Sequence, residues 1–113
     1  MAIPEHAHER AERLLTKFAE RRVPPSFSDR VRLSVETHGN SIAILEHRPL
    51  FHDPDTWTNS PVAQFRYNLG SGLWTLYCDL KGRWQRYNSK SPSADIATLI
   101  REVDRDPTCI FWG

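Results

Sequence analysis

The segment Lys81-Gly82-Arg83-Trp84-Gln85-Arg86-Tyr87 interleaves cations with flat rings, and Arg66 adds a cation on a neighbouring run. Cations meet phosphates and rings stack on unpaired bases. This is the chemistry of single-stranded nucleic-acid contact, in which each stacked base is worth about 1–3 kcal/mol. The field is local. Residues 61–90 hold five Lys or Arg against one acid, Asp79, whereas stretches 23–60 and 91–113 each carry a net −2. The same side chains would suit an acidic protein partner. They would equally suit a solvated strand edge, where cations block edge-to-edge association. The contact residues this reading predicts are Lys81, Arg83, Trp84, Arg86, Tyr87 and Arg66.

A second constellation is acid–base. Glu36 and Glu46 lie on two adjacent strand-like runs, with His47, His52, Asp53 and Asp55 close behind. Two carboxylates forced together would split their pKa values and act as acid and base. Imidazole and carboxylate could also hold a divalent metal. The spacing matches no metal site, however. Asp53-Pro54-Asp55 suits a turn, and His6 and His8, two apart on a helix, diverge. The run Gln64-Phe65-Arg66 lacks the carboxylate a nuclease strand would carry, and neither a Gly-rich phosphate loop nor Gly-x-Ser-x-Gly occurs. A metal-assisted enzyme centred on Glu36, Glu46, His47 and Asp53 is therefore the weaker reading, and no cofactor or metal is expected. Cys78 and Cys109 both sit in apolar runs. They read as buried, reduced thiols of a cytoplasmic protein rather than as a disulfide framework.

These residues need a scaffold. Residues 4–22 predict a helix with Ala7, Ala11, Leu14, Leu15 and Phe18 on one stripe, stopped by Pro24-Pro25. Residues 30–36 alternate, with Val31, Leu33 and Val35 facing a core. After the turn His38-Gly39-Asn40, residues 41–48 form a second strand of a hairpin. Residues 49–60 predict a long loop that Phe51 and Trp57 pack onto the domain. Residues 61–67, 73–78 and 83–87 predict a three-strand meander, with Ala63, Phe65, Tyr67, Trp74, Leu76 and Cys78 turned one way and Leu73 and Tyr77 the other. Ser91-Pro92-Ser93 opens a second helix that carries Ile96, Leu99, Ile100 and Val103. The apolar tail 108–113 should dock on the sheet or pair as an edge strand. The whole is α+β: a helix, about five antiparallel strands, then a helix, with both helices on one sheet face, in a single domain spanning 1–113. Rings on both faces of the meander mean that two helices cannot cover them all. An exposed subset would mark a recognition face, or a homodimer formed through that face or a sheet edge.

The 113-residue composition, with 39% hydrophobic and 26% charged residues, excludes a disordered chain. No apolar run approaches the ~20 residues of a membrane helix, and the N-terminus does not read as a signal peptide. A net charge of +1 gives no whole-molecule pull toward nucleic acid or lipid.

Several motifs in order resemble a bacterial family known as domain of unknown function 3024. They are Arg22-Val23-Pro24-Pro25, Glu46-His47-Arg48-Pro49, Pro61-Val62-Ala63 and the ending Asp104-Arg105-Asp106-Pro107-Thr108-x-x-Phe111-Trp112-Gly113. The spacing of Trp74, Tyr77, Trp84 and Tyr87 fits as well. The resemblance runs from about Glu9 to Gly113 and implies one compact bacterial domain. It carries no activity or site residue with it. The function expected from the residues is a small non-catalytic binding module that uses the sheet face and the basic strand 81–87, with a protein or single-stranded nucleic acid as partner.

Overall fold

The computed structural model describes residues 2–113. Helix α1 (Glu5–Arg22) starts directly after Pro4, buries Ala11, Leu15 and Phe18, and ends before the two prolines. A 3-10 turn at Pro25–Phe27 leads into strand β1 (Arg32–His38). The strand begins later than the alternation predicts because the N–H groups of Arg30 and Val31 both donate to the Phe27 carbonyl. Strands β2 (Ser41–His47), β3 (Ser60–Asn68), β4 (Leu73–Leu80) and β5 (Arg83–Arg86) follow, and helix α2 (Ile96–Arg105) closes the fold. Each strand pairs antiparallel with the one before it, in the sheet order β1-β2-β3-β4-β5. This is the α+β arrangement the sequence predicts.

The alternation of side chains sorts each strand between two faces. Ile42 and Ile44, Ala63 and Phe65, and Trp74, Leu76 and Cys78 meet Leu15, Phe18, Ile96, Leu99, Ile100 and Val103 in one core, so both helices lie on the same side. Among the described residues no helix lies on the opposite side. There the register lines up Glu36, Ala43, Gln64, Tyr77 and Arg86 across all five strands. His38, Ser41, Arg66 and Thr75 form the next row. The two-residue turn at Gly39 (φ 57) and Asn40 closes on His38 and Ser41. An antiparallel ladder then turns the backbone groups of Arg32, Ser34, Glu36 and His38 toward β2. Those of Leu33, Val35 and Thr37 face the free edge.

Three local expectations change, and a fourth, for the tail, narrows to one of its two forms. The α2 N-cap is Asp95, whose carboxylate accepts from the Ala97 N–H at 3.1 Å. Ser93 instead accepts from the Asp95 N–H, and its own backbone pairs with Trp74 alongside β4. Of the two forms expected of the tail, it docks against the core and does not pair as an edge strand. Asp106, in the left-handed region at φ 46, folds it back so that Phe111 enters the core. Trp112 then donates to the Val103 carbonyl at 2.8 Å. In loop 48–59, Trp57 pairs back onto Pro49, but Phe51 is 92% exposed at the tip and does not pack on the domain. Cys78 is buried as expected. Cys109 is exposed, carried outward by the same reversal of the tail, and both are free thiols.

Candidate functional site

The uncovered sheet face is built around Arg66. Its Nε donates to Gln64 Oε1 at 2.7 Å, and Gln64 Nε2 donates in turn to Ser41 Oγ at 3.3 Å. Ser41 Oγ donates to the His38 carbonyl at 3.0 Å, which fixes the chain of bonds to the β1–β2 turn. So held, the guanidinium lies 3.8 Å over the Tyr77 ring. An arginine stacked on a tyrosine face gains cation–π attraction and keeps its planar donors in a set orientation. Arg86 is opposite Tyr77 in the register, is exposed, and extends the row by one strand. Trp84 is half-buried opposite Asp79 on the same face. Beside this row a shallow groove of about 410 Å³ is lined by Asn40, Arg66, Asn68, Thr75 and Tyr77.

A second stack of the same kind lies at the β1 end. Arg32 sits 4.0 Å over the Trp57 ring and donates from Nε to the Ser28 carbonyl at 2.7 Å. Sequence reasoning misses this pair, because 25 positions separate the two residues and no local pattern shows that the loop returns beneath β1. Tyr77, also absent from the predicted contact set, was signalled by the alternation that places it opposite to Trp74, Leu76 and Cys78.

The basic strand 81–87 is divided by that same alternation. Arg83 pairs with Leu80 and Gln85 with Cys78, so Arg83 points to the helix side and does not join Arg86 and Trp84. Lys81 stands exposed at the turn tip, where φ values of 53 at Lys81 and 83 at Gly82 make the tight reversal. Tyr87 is a correction. It is 4% exposed, its hydroxyl donates to Glu102 Oε2 at 2.7 Å, and its ring packs on Phe111 with centroids 4.9 Å apart. It is a core residue and offers no surface for stacking. Of the six predicted contact residues, Arg66, Trp84 and Arg86 share the open face.

The acid–base constellation does not assemble. Glu36 pairs with Ala43 on the open face, whereas Glu46 pairs with Leu33 on the helix side and binds Arg48 at 3.1 Å. Asp53 accepts from Thr56 Oγ1 at 2.6 Å in the loop turn. Among the described residues no group of three His, Cys, Asp or Glu is placed to hold a metal.

His47 is engaged elsewhere. Its Nδ1 faces the Thr58 carbonyl at 3.2 Å and Asn59 Oδ1 at 2.6 Å. Two acceptors put the proton on Nδ1 and leave Nε2 to accept from Ser34 Oγ at 2.7 Å. The order serine, histidine, asparagine matches that of acyl-transfer sites. Ser34, however, stands mid-strand with its N–H turned into the pairing with Leu45, whereas a working nucleophile needs a donor pair aimed at the developing oxyanion. The three residues instead tie β1, β2 and the loop end together.

The family model of the domain of unknown function (DUF3024) matches residues 3–113 of this chain. No curated protein and no solved structure matches it.

Proposed function

We propose that this chain, which belongs to the DUF3024 family, is a non-catalytic binding module that takes single-stranded nucleic acid on the uncovered face of its sheet. The observation that carries this is the row of Arg66 stacked on Tyr77 with Arg86 opposite and Trp84 two positions along, on a face that neither helix covers. Phosphates would meet the guanidinium groups. Bases would stack on the half-exposed ring of Trp84 and on the flat Arg66–Tyr77 pair. The Arg32–Trp57 stack would extend the path of the strand across the sheet. The reading includes a bacterial source and the cytosol, where two free thiols stay reduced.

The test is fluorescence anisotropy of a labelled single-stranded oligonucleotide across a salt series. Binding should weaken as salt rises. Arg66→Ala with Arg86→Ala should lower the slope by roughly 0.7 per cation lost. Arg83→Ala, on the other side of the sheet, should leave the slope nearly unchanged. Absence of binding at low salt, or an equal effect from Arg83→Ala, would overturn the proposal. So would capture, through this face, of a protein from nuclease-treated lysate in place of any oligonucleotide.

A further inference from the structure

We propose that β1 is where two copies of this chain join, strand beside antiparallel strand, into one continuous sheet. Arg32, stacked on Trp57, is the one residue shared with the path proposed for nucleic acid.

The sheet has two edges of different character. β5 is four residues long, and an antiparallel self-pairing about its centre sets Arg83 against Arg86 of the second copy at both ends. Like charges directly opposite destabilise a pair. β1 is seven residues long, and among the described residues no other element bonds the backbone groups of Leu33, Val35 and Thr37. Those groups point outward, ready for another strand.

The residues along β1 are complementary to themselves. Place a two-fold axis at Ser34, and Ser34 faces its own copy. Leu33 then faces Val35 of the second copy, twice, and these are the residues whose N–H and C=O point outward, so they can exchange both hydrogen bonds. Arg32 faces Glu36 of the second copy, also twice, and both side chains are exposed on the open face. Moving the axis to Val35 sets Arg32 against His38 and Ser34 against Glu36, and both ion pairs disappear. The apolar side agrees with the first register. Leu33 and Val35 are only half-buried and border a groove of about 400 Å³ between α1 and β1, along with Ala19, Val23 and Val31. A second copy would cover that border. Because paired residues share a face, the two open faces would lie side by side as one platform.

Sedimentation and crosslinking test the interface. The wild-type protein should show a concentration-dependent species of twice its 13.1 kDa mass. Glu36→Lys, at an exposed position, should raise the dimer dissociation constant by about tenfold or more, because two attractive pairs become repulsive. Ser34→Cys is made together with Cys109→Ser, which removes the exposed native thiol. Opposed residues of a non-hydrogen-bonded pair lie about 4.5 Å apart at Cα, within disulfide reach. Mild oxidation should therefore link two copies through position 34. Glu36→Cys in the same background should not link, since its copy lies four residues away along the strand. A monomer at every attainable concentration with no crosslink at 34 would overturn the proposal. So would a dimer that Glu36→Lys leaves intact, or one that links at 36 as readily as at 34.

Discussion

Asp106 explains most of the ending of the chain with one side chain. Its backbone turns left-handed to close α2, and its two carboxylate oxygens accept the N–H groups of Phe111 and Trp112 at 3.1 and 2.9 Å. Trp112 is thereby placed against Phe18 and under the Arg22 guanidinium, 3.9 Å from the ring centroid. Arg22 also donates to Asp104 at 3.1 Å. The Asp-Arg-Asp-Pro and Phe-Trp-Gly runs are thus two halves of one latch, and its chemistry is structural. Asp106→Ala should cost about 2 kcal/mol, because two charge-assisted bonds are lost and a left-handed residue keeps its strain. Asp106→Asn, which keeps one acceptor, should cost less. A urea melt of both variants checks this, and equal midpoints for Asp106→Ala and wild type would refute it. The latch also sets the reactivity of the thiols. Cys78 is buried and its pKa is raised, first by loss of hydration and then by Asp79, while Cys109 is exposed. A thiol reagent should label Cys109 in the native protein and Cys78 only on unfolding.

The start of α2 shows how an element is specified by side chains that compete for one position. Serines flank Pro92, yet Asp95 caps the helix, because Ser93 is already held in the sheet by its pairing with Trp74. The Ala97 N–H, and after it the Arg10 guanidinium at 3.0 Å, hold the Asp95 carboxyl below its ordinary value of 3.8. A depressed folded pKa means that this stabilisation is present above pH 3.8 and is lost as pH falls through the lower folded value. Asp95→Ala should cost about 1 kcal/mol at neutral pH. It should also flatten the acid limb of a stability-against-pH curve, measured by denaturant midpoint; an unchanged limb would place the acid sensitivity elsewhere.

The strands and helices themselves were legible in the sequence because their apolar periods are 2 and 3.6, and β4 in particular alternates without a break. Two kinds of feature were not. A backbone group already taken, by a turn at Val31 or by the bridge to Trp74 at Ser93, shifts an element's start without changing its pattern. Five of the six predicted contacts come from the contiguous run 81–87, whereas a strand sends Arg83 and Arg86 to opposite faces and the cluster on the open face gathers Arg66, Tyr77 and Arg86 from three strands.

At the scale of the whole molecule the fold is two layers of unequal cover: helices on one face, side chains alone on the other. The closure of the helix side depends on Tyr87, where β5, α2 and the tail meet. Its hydroxyl donates to Glu102 and accepts from Thr108 at 3.3 Å, and its ring packs on Phe111. Burial first, and then Glu102, push the phenol above its ordinary value of 10.0. A raised folded pKa means that the neutral form is the stabilised one. That contribution is complete below pH 10 and disappears as pH rises through the folded value. Cys78 titrates in the same direction from its ordinary value of 9.0, so it is replaced by Ala in the test. In that background Tyr87→Phe keeps the ring packing and removes the ionisable oxygen. It should lower stability near neutral pH by about 1 kcal/mol, the usual net worth of a buried hydrogen bond. It should also make the protein lose less stability between neutral and strongly alkaline pH than its Tyr87 parent does. Denaturant midpoints across that range decide the matter: parallel alkaline losses in the two proteins would show that the joint does not depend on the phenol's charge.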